Sequence, residues 1–128
     1  MYSKEFSFAN GGKKKRGKYG AQKVTTADGE TYDSKKEYRR GQQLKALAAS
    51  GKIKDLQRQV KYELIPAQRD TNGKLIERSC SYIADFVYQD ENGSTIVEDC
   101  KSPATRTAEY VMKRKLMLHK YGIRVVET

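Results

Sequence analysis

Apolar residues recur at two different spacings along this chain, and the two spacings predict two kinds of element. Alternation of apolar and polar positions is typical of strands that bury one face, whereas recurrence every three or four residues is typical of helices. The alternation, together with flanking turn residues, predicts strands at residues 21–25, 30–32, 59–65, 75–88, 95–101 and 123–126. A break is expected near Arg78, and the two strands that follow it are joined by a turn at residues 90–94.

Helical spacing predicts two helices. The first covers residues 34–50, where Ser34 and Glu37 match a capping box and Gly51 offers a C-terminal stop. The second covers residues 104–120 and places apolar residues along one face. The order is hairpin, helix, strand meander, helix and strand, which predicts an α/β fold with helices packed on a mixed central sheet.

Charge separates residues 1–20 from the rest of the chain. This segment is rich in glycine and basic residues and cannot bury apolar surface, so a flexible basic arm is predicted at 1–20 and a single domain at 21–128. The whole chain has 26 basic and 16 acidic residues, which give a formal charge of +10. This charge indicates a polyanionic binding partner, and nucleic acid fits best. The arm's candidate DNA contacts are Lys13, Lys14, Lys15 and Arg16.

The remaining composition narrows the chemistry. No apolar run reaches the roughly 20 residues that span a bilayer, and no signal peptide is visible, so we expect a cytoplasmic protein without a membrane partner. Cys80 and Cys100 read as reduced thiols, and they are too few for a structural zinc site. His119 is the only histidine, so carboxylates and lysine must carry any catalysis.

Asp85 and Asp99 form the most informative pair in the sequence. If Gln89 faces Thr95 across the turn, antiparallel pairing places Asp85 directly opposite Asp99, with Cβ atoms about 4.5–5.5 Å apart. Lys101 then lies one step further on the same face. The same register turns Glu98 and Cys100 to the other face, which makes Glu98 a reserve candidate and Cys100 a core thiol.

Two interpretations of this pair are open. The carboxylates could face solvent and form an ordinary surface ion pair with lysine. However, Ile83 and Val87 flank Asp85 and Val97 precedes Asp99, so the shared face is otherwise apolar. Opposed like charges are destabilising unless a cation lies between them. The pattern therefore favours a functional site.

Glu37 and Gln59 each have two readings. Glu37 could close the capping box by reaching back to the amide of Ser34, and it also lies on the apolar stripe of its helix, so it could point toward the sheet; both roles can coexist. Gln59 could be a polar residue of an edge strand or could act near the site.

These residues resemble a known family. Asp85, the triplet Asp99-Cys100-Lys101 and the upstream glutamate at the end of residues 33–37 look like the PD-(D/E)XK nuclease superfamily. Within it, the layout is similar to small phage and prophage endonucleases, which group with Holliday junction resolvases and with the endonuclease subunit of a transposition system. The resemblance covers residues 19–126. Ala84 stands where the family has proline, a position that supplies no ligand.

The resemblance implies a restriction-endonuclease-like core and a divalent-metal-dependent DNA endonuclease that cuts phosphodiester bonds. Its catalytic residues would be Glu37, Asp85, Asp99 and Lys101, with Lys101 acting on the attacking water. Mg²⁺, for which Mn²⁺ could substitute, would be bound by the three carboxylates and by the main-chain carbonyl of Cys100. Oxygen ligands of this kind suit magnesium. No small-molecule cofactor is expected.

The expected partner is DNA, either branched or duplex. The branched substrates would be Holliday-junction-like recombination or replication intermediates of a phage. If the protein is encoded by a phage, it would act in the host bacterial cytoplasm. A homodimer is expected, because a branched substrate is nearly two-fold and needs two cuts. Further candidate DNA contacts on the two helices are Lys35, Lys36, Lys113, Arg114 and Lys115. A non-catalytic nucleic-acid-binding protein is the main alternative, and the short chain disfavours a restriction-type enzyme.

Overall fold

The structure, a computed structural model, describes residues 22–128. The predicted basic arm and its four candidate DNA contacts therefore lie outside the described residues. The chain divides after Arg39 into two compact units, and the boundary falls inside the first helix. The single domain at 21–128 stays a prediction.

The first unit contains the predicted hairpin. Strands β1 (Val24–Thr25) and β2 (Thr31–Tyr32) pair antiparallel around a turn in which Gly29 adopts a φ of 92°. Glycine reaches this left-handed conformation without the steric cost that a Cβ brings. The unit ends at Arg39, inside helix α1 (Lys35–Ala49). The hairpin and the helix predicted at 34–50 are both confirmed.

The second unit is built on a four-stranded mixed sheet. After α1, the elements are β3 (Lys54–Ile65), β4 (Gln68–Arg69), β5 (Leu75–Glu77), β6 (Cys80–Gln89), β7 (Thr95–Asp99), α2 (Ala108–Tyr121) and β8 (Val126–Glu127). The sheet order is β3-β6-β7-β8, antiparallel except for the parallel pair β7–β8. Strands β4 and β5 form a separate hairpin. The α/β class with a mixed sheet is confirmed.

One hydrophobic cluster holds this unit together. Helix α2 contacts β3 and β6, and side chains from the helix and the sheet bury one another. The buried members are Leu64, Tyr82, Ala84, Val87, Val97, Tyr110, Met117 and Val125. In the described part of the chain, neither helix combines the length and the apolar character needed to span a membrane.

Several element ends differ from the prediction for local reasons. Strand β3 begins at Lys54, five residues before the predicted start, and β8 covers Val126–Glu127 instead of 123–126. Helix α2 begins at Ala108 instead of residue 104, because Thr107 provides the N-cap by accepting a hydrogen bond from the Tyr110 amide. The predicted break near Arg78 is confirmed between β5 and β6.

The register predicted between the two central strands is confirmed. Gln89 faces Thr95, and the ladder runs through Val87↔Val97 to Phe86↔Glu98. Asp85 follows at the next step of β6, and Asp99 is the last residue of β7. The fold therefore brings both aspartates to the same end of the β6–β7 ladder.

Candidate active site

The two aspartates at the end of the β6–β7 ladder lie close enough for each carboxyl group to influence the other. Asp99 is among the causes that raise the pKa of Asp85. Asp99 is buried, with 4% of its surface exposed, and Asp85 is half-buried. Opposed carboxylates on a sheet surface repel each other, so two of them placed together with little exposure are not an ordinary surface feature.

The carboxylate oxygens of both aspartates have neighbouring polar groups that orient them. In Asp85, Oδ2 accepts a hydrogen bond from the Cys100 amide at 2.9 Å, and Oδ1 accepts one from Gln59 Nε2 at 3.4 Å. In Asp99, Oδ2 accepts a hydrogen bond from the Tyr82 hydroxyl at 2.7 Å, and Oδ1 lies 3.4 Å from Lys101 Nζ. Four polar groups thus fix the orientation of the pair, as supporting groups do around catalytic carboxylates.

Lys101 lies in a position defined by charge and by an aromatic ring. Its side chain is 15% exposed, and Nζ lies 4.1 Å from the centre of the Tyr110 ring. A cation over a ring face is attracted by the ring's quadrupole. The main chain is also held, because the Lys101 amide donates to the carbonyl of Thr128 at 3.0 Å. The structure therefore brings together three of the predicted site residues: Asp85, Asp99 and Lys101.

The electrostatics of the pair differ from those of exposed carboxyl groups. Burial, and then the hydrogen bond and negative charge of Asp99, raise the pKa of Asp85 to about 8. The Cys100 amide and Lys101 oppose this shift but do not cancel it. Without a cation, Asp85 therefore holds a proton at neutral pH, an arrangement typical of paired carboxyl groups that do chemistry.

The prediction for the residues around Asp85 is partly wrong. Ile83, expected beside Asp85 on an apolar face, is 52% exposed, whereas Ala84 and Val87 are both buried in the hydrophobic cluster. The alternation of faces shifts at Asp85, because the ladder between β3 and β6 has bridge pairs on both sides of Gln59 and Asp85 but none formed by these two residues. Gln59 has a φ of 54°, which is outside the range of regular strands.

Tyr82 is a site residue that the sequence argument did not identify. Regular alternation from residue 82 to residue 85 would place Tyr82 and Asp85 on opposite faces. The shift at Asp85 instead directs the Tyr82 hydroxyl toward Asp99. Burial, and then the charge of Asp99, raise the pKa of Tyr82 above its usual range, so the hydroxyl remains a hydrogen-bond donor. In the sequence, the only indication of this role was the presence of a tyrosine three residues before Asp85.

A second polar cluster lies behind Lys101 at the C-terminal strand. The Tyr110 hydroxyl donates to Glu127 at 2.8 Å, and Glu127 also pairs with Arg106 at 2.6 Å and with Arg114 at 2.9 Å. Although burial alone would raise it, the hydrogen bonds from Arg106, Arg114 and Tyr110 lower the pKa of Glu127 to about 2. Glu127 therefore stays ionised and fixes the ring on which Lys101 lies.

Glu98 forms a separate structural pair. Its side chain is almost fully buried and accepts two hydrogen bonds from Arg40, at 2.8 and 2.7 Å, and one from the Tyr88 hydroxyl. A bidentate arginine and a tyrosine satisfy both oxygens of this carboxylate. These contacts explain Glu98 as a stabilising residue, in agreement with its reserve status in the sequence.

Glu37 belongs to the first unit, and its contacts there are those of a helix cap. The Glu37 amide donates to Ser34 Oγ at 3.1 Å, and its carboxylate accepts from the Asp33 amide at 2.8 Å. The capping box is confirmed, with the amide of Asp33 in the place expected for that of Ser34. Glu37 is 2% exposed, as its position on the apolar stripe of α1 predicted. Its role as a metal ligand stays a prediction.

Cys100 is half-buried instead of being the core thiol that was predicted. Its Sγ lies 3.4 Å from Thr128 Oγ1, at the margin of the sheet. Cys80 and Cys100 are both free thiols, as expected. The proposed metal contact of the Cys100 carbonyl stays a prediction.

The candidate DNA contacts on the helices have different environments. Lys113 pairs with Glu109 at 3.1 Å, one helical turn away, and Arg114 pairs with Glu127. Lys35, Lys36 and Lys115 are exposed. The charges of Lys113 and Arg114 are therefore partly neutralised within the protein. DNA binding by any of the five residues stays a prediction.

The donor set of the site suits a hard divalent cation. Among residues 22–128, no group of three or more histidine, cysteine, aspartate or glutamate side chains is placed to hold a metal ion. Magnesium, however, is commonly held by one or two carboxylates and keeps several of its waters. Asp85 and Asp99 provide two such groups at the same end of the β6–β7 ladder, and a cation between them would relieve their repulsion. The residues present therefore fit Mg²⁺ or Mn²⁺.

Comparison with known proteins gives a family and no named relative. No curated protein and no solved structure matches this chain. Residues 16–126, which include the whole candidate site, match the family described as "Protein of unknown function (DUF1064)", and the chain belongs to that family.

Proposed function

We propose that this protein is a divalent-metal-dependent endonuclease that hydrolyses phosphodiester bonds in DNA. Its active site would contain Asp85, Asp99 and Lys101. One observation carries the proposal: two carboxyl groups at the same end of the β6–β7 ladder, each oriented by a short hydrogen bond, with an ammonium group 3.4 Å from one of them. Two carboxylates can share a cation, and a nearby lysine can face a phosphate that gains negative charge as water attacks.

Each residue has a distinct task in this reaction. Asp85 and Asp99 would hold the metal ion, which would supply positive charge beside the phosphate and help to activate the attacking water. Asp85 must first lose the proton that it keeps below about pH 8. Lys101, held against the Tyr110 ring, adds a fixed positive charge next to the attacked group. Tyr82 keeps Asp99 oriented.

The finer parts of the proposal come from the sequence resemblance. They are a restriction-endonuclease-like core, Glu37 as a third carboxylate ligand, the Cys100 carbonyl as a further ligand, and branched DNA cut by a homodimer. The mixed sheet with two helices is compatible with such a core. The formal charge of +10 supports a polyanionic substrate.

Cleavage assays test the proposal directly. Purified full-length protein is incubated with end-labelled four-way junction, flap and linear duplex DNA, in Mg²⁺, in Mn²⁺ or in chelator. We expect cleavage of at least one substrate that requires the metal ion. Asp85→Asn and Lys101→Ala should each reduce the cleavage rate by about 100-fold or more while DNA binding is retained.

Matched control variants separate the site from the general charge of the protein. Glu91→Gln removes an exposed acid from the neighbouring turn, and Lys61→Ala removes an exposed lysine from β3. Both should cleave at the wild-type rate. DNA binding without cleavage under every metal condition would refute the enzyme and favour the non-catalytic alternative.

A further inference from the structure

Strand β3 contains two non-glycine residues with left-handed backbone conformations. Asp55 has a φ of 55° and Gln59 a φ of 54°. Side chains other than glycine reach this region at a cost of about 1–2 kcal/mol, and aspartate tolerates it better than glutamine does. Such conformations persist where the surrounding structure enforces them, and they concentrate at functional sites.

The pairing of β3 with β6 explains the first of these residues. At Asp55 the register shifts between Lys54↔Gln89 and Gln57↔Val87, which is the signature of a β-bulge. In one class of bulge, the first residue takes a left-handed conformation. The backbone of Asp55 thus has a purely structural cause.

No such shift accompanies Gln59. The ladder keeps the same register on both sides, from Arg58↔Phe86 to Val60↔Ala84, and it passes over Gln59 and Asp85 together. The backbone of Gln59 is therefore not accommodating an inserted residue. Instead, the position that leaves regular pairing lies directly across from a candidate metal ligand.

The side chain of Gln59 contacts Asp85 at this position. Its Nε2 donates to Asp85 Oδ1 at 3.4 Å, while the Cys100 amide holds Oδ2 at 2.9 Å. The two contacts fix both oxygens of Asp85, one from strand β3 and one from the residue that follows β7. Groups that support metal ligands in this way typically change metal affinity or activity by about 10–100-fold when they are removed.

We infer that Gln59 is a positioning residue of the active site, which holds the Asp85 carboxylate through its carboxamide; this inference rests on the proposed nuclease function. The left-handed backbone of Gln59 is the cost of directing that carboxamide at Asp85. Gln59 thereby joins Tyr82, which has the equivalent task for Asp99.

Substitutions separate the carboxamide from the backbone. Gln59→Met keeps the length of the side chain and the unfavourable φ but removes the donor, whereas Gln59→Gly removes both the donor and the steric cost. Asp55→Gly is the matched control, because it changes the other left-handed residue of β3 at the bulge. The full-length variants are compared by urea unfolding, by Mn²⁺ titration calorimetry and by cleavage kinetics.

A positioning role predicts a specific set of results. Gln59→Met and Gln59→Gly should lower kcat and weaken Mn²⁺ binding by about 10–100-fold, with KM for DNA unchanged. Gln59→Gly should be at least as stable as Gln59→Met, because glycine relieves the left-handed backbone, so a loss of activity shared by both variants follows the missing carboxamide and not the strain. Asp55→Gly should bind Mn²⁺ and cleave DNA like the wild type.

Contradictory results are equally distinct. Wild-type kcat and Mn²⁺ affinity in both Gln59 variants would overturn the inference while leaving the proposed function intact. Equal losses in Asp55→Gly and Gln59→Gly would show that only the geometry of β3 matters, and would overturn it as well. A wild-type protein that neither binds Mn²⁺ nor cleaves DNA would refute the proposed function itself and the inference with it.

Discussion

Replacing Asp85 by asparagine is expected to stabilise the metal-free protein, although it destroys the candidate site. Burial, together with the neighbouring Asp99, raises the pKa of Asp85 to about 8 from an ordinary value of 3.8. Asparagine removes this ionisation. Its Oδ1 can still accept from the Cys100 amide, and its amide group can donate to Asp99.

The size of the effect follows from the linkage between protons and folding. Below about pH 4 the carboxyl group is protonated in both the folded and the unfolded chain. Between about pH 4 and pH 8 the unfolded chain releases the proton while the folded protein keeps it, so wild-type stability falls as the pH rises. The slope for one proton is about 1.4 kcal/mol per pH unit. From pH 5 to pH 7, the advantage of Asp85→Asn should therefore grow by about 2.7 kcal/mol.

Urea unfolding in the presence of chelator, followed by circular dichroism, measures this difference. Wild type, Asp85→Asn and the exposed control Glu91→Gln are compared at pH 5, 6 and 7. All other titrating groups are common to wild type and Asp85→Asn, so the change in their difference reports Asp85. A difference that stays constant with pH would show that Asp85 ionises normally in the folded state, and would refute the electrostatic account of the pair.

Three further results are expected. The affinity for Mn²⁺ should rise by up to about tenfold per pH unit between pH 6 and 8, because the metal must displace the proton of Asp85. Calorimetry in buffers of different ionisation enthalpy should detect the release of one proton. An affinity that does not depend on pH would contradict this prediction. Glu98→Gln should destabilise the protein by about 3 kcal/mol in urea unfolding, because it removes the buried carboxylate that neutralises the half-buried Arg40, and unchanged stability would contradict a structural role. Glu37→Gln should preserve stability, because the amide oxygen still caps α1, but should abolish cleavage if Glu37 binds the metal; full activity would exclude that role.

Local patterns predicted the main elements because each has a short-range cause. The capping box of α1, the Asp-Gly turn of the first hairpin and the register around residues 90–94 depend on residues close in sequence, and all three are confirmed. That register was sufficient to bring Asp85 to Asp99, so the central pair of the site could be predicted from the sequence.

The surroundings of the pair could not be predicted in this way. Strict alternation placed Ile83 beside Asp85 and did not identify Tyr82, because no local sequence pattern indicates that Gln59 adopts a left-handed backbone. The departure arises from the pairing of β3 with β6, which joins residues 26 positions apart. Contacts of Glu127 with α2 are similarly long-range, so the support behind Lys101 became visible only in the folded structure.

The claim that Asp85 and Asp99 bind a divalent cation is tested most directly by anomalous diffraction from crystals of the protein soaked in Mn²⁺. An anomalous peak within coordination distance of both carboxylates is the predicted result, and it should disappear in Asp85→Asn crystals soaked in the same way. A wild-type crystal with intact carboxylates and no manganese between them, at a concentration that supports DNA cleavage, would contradict the claim.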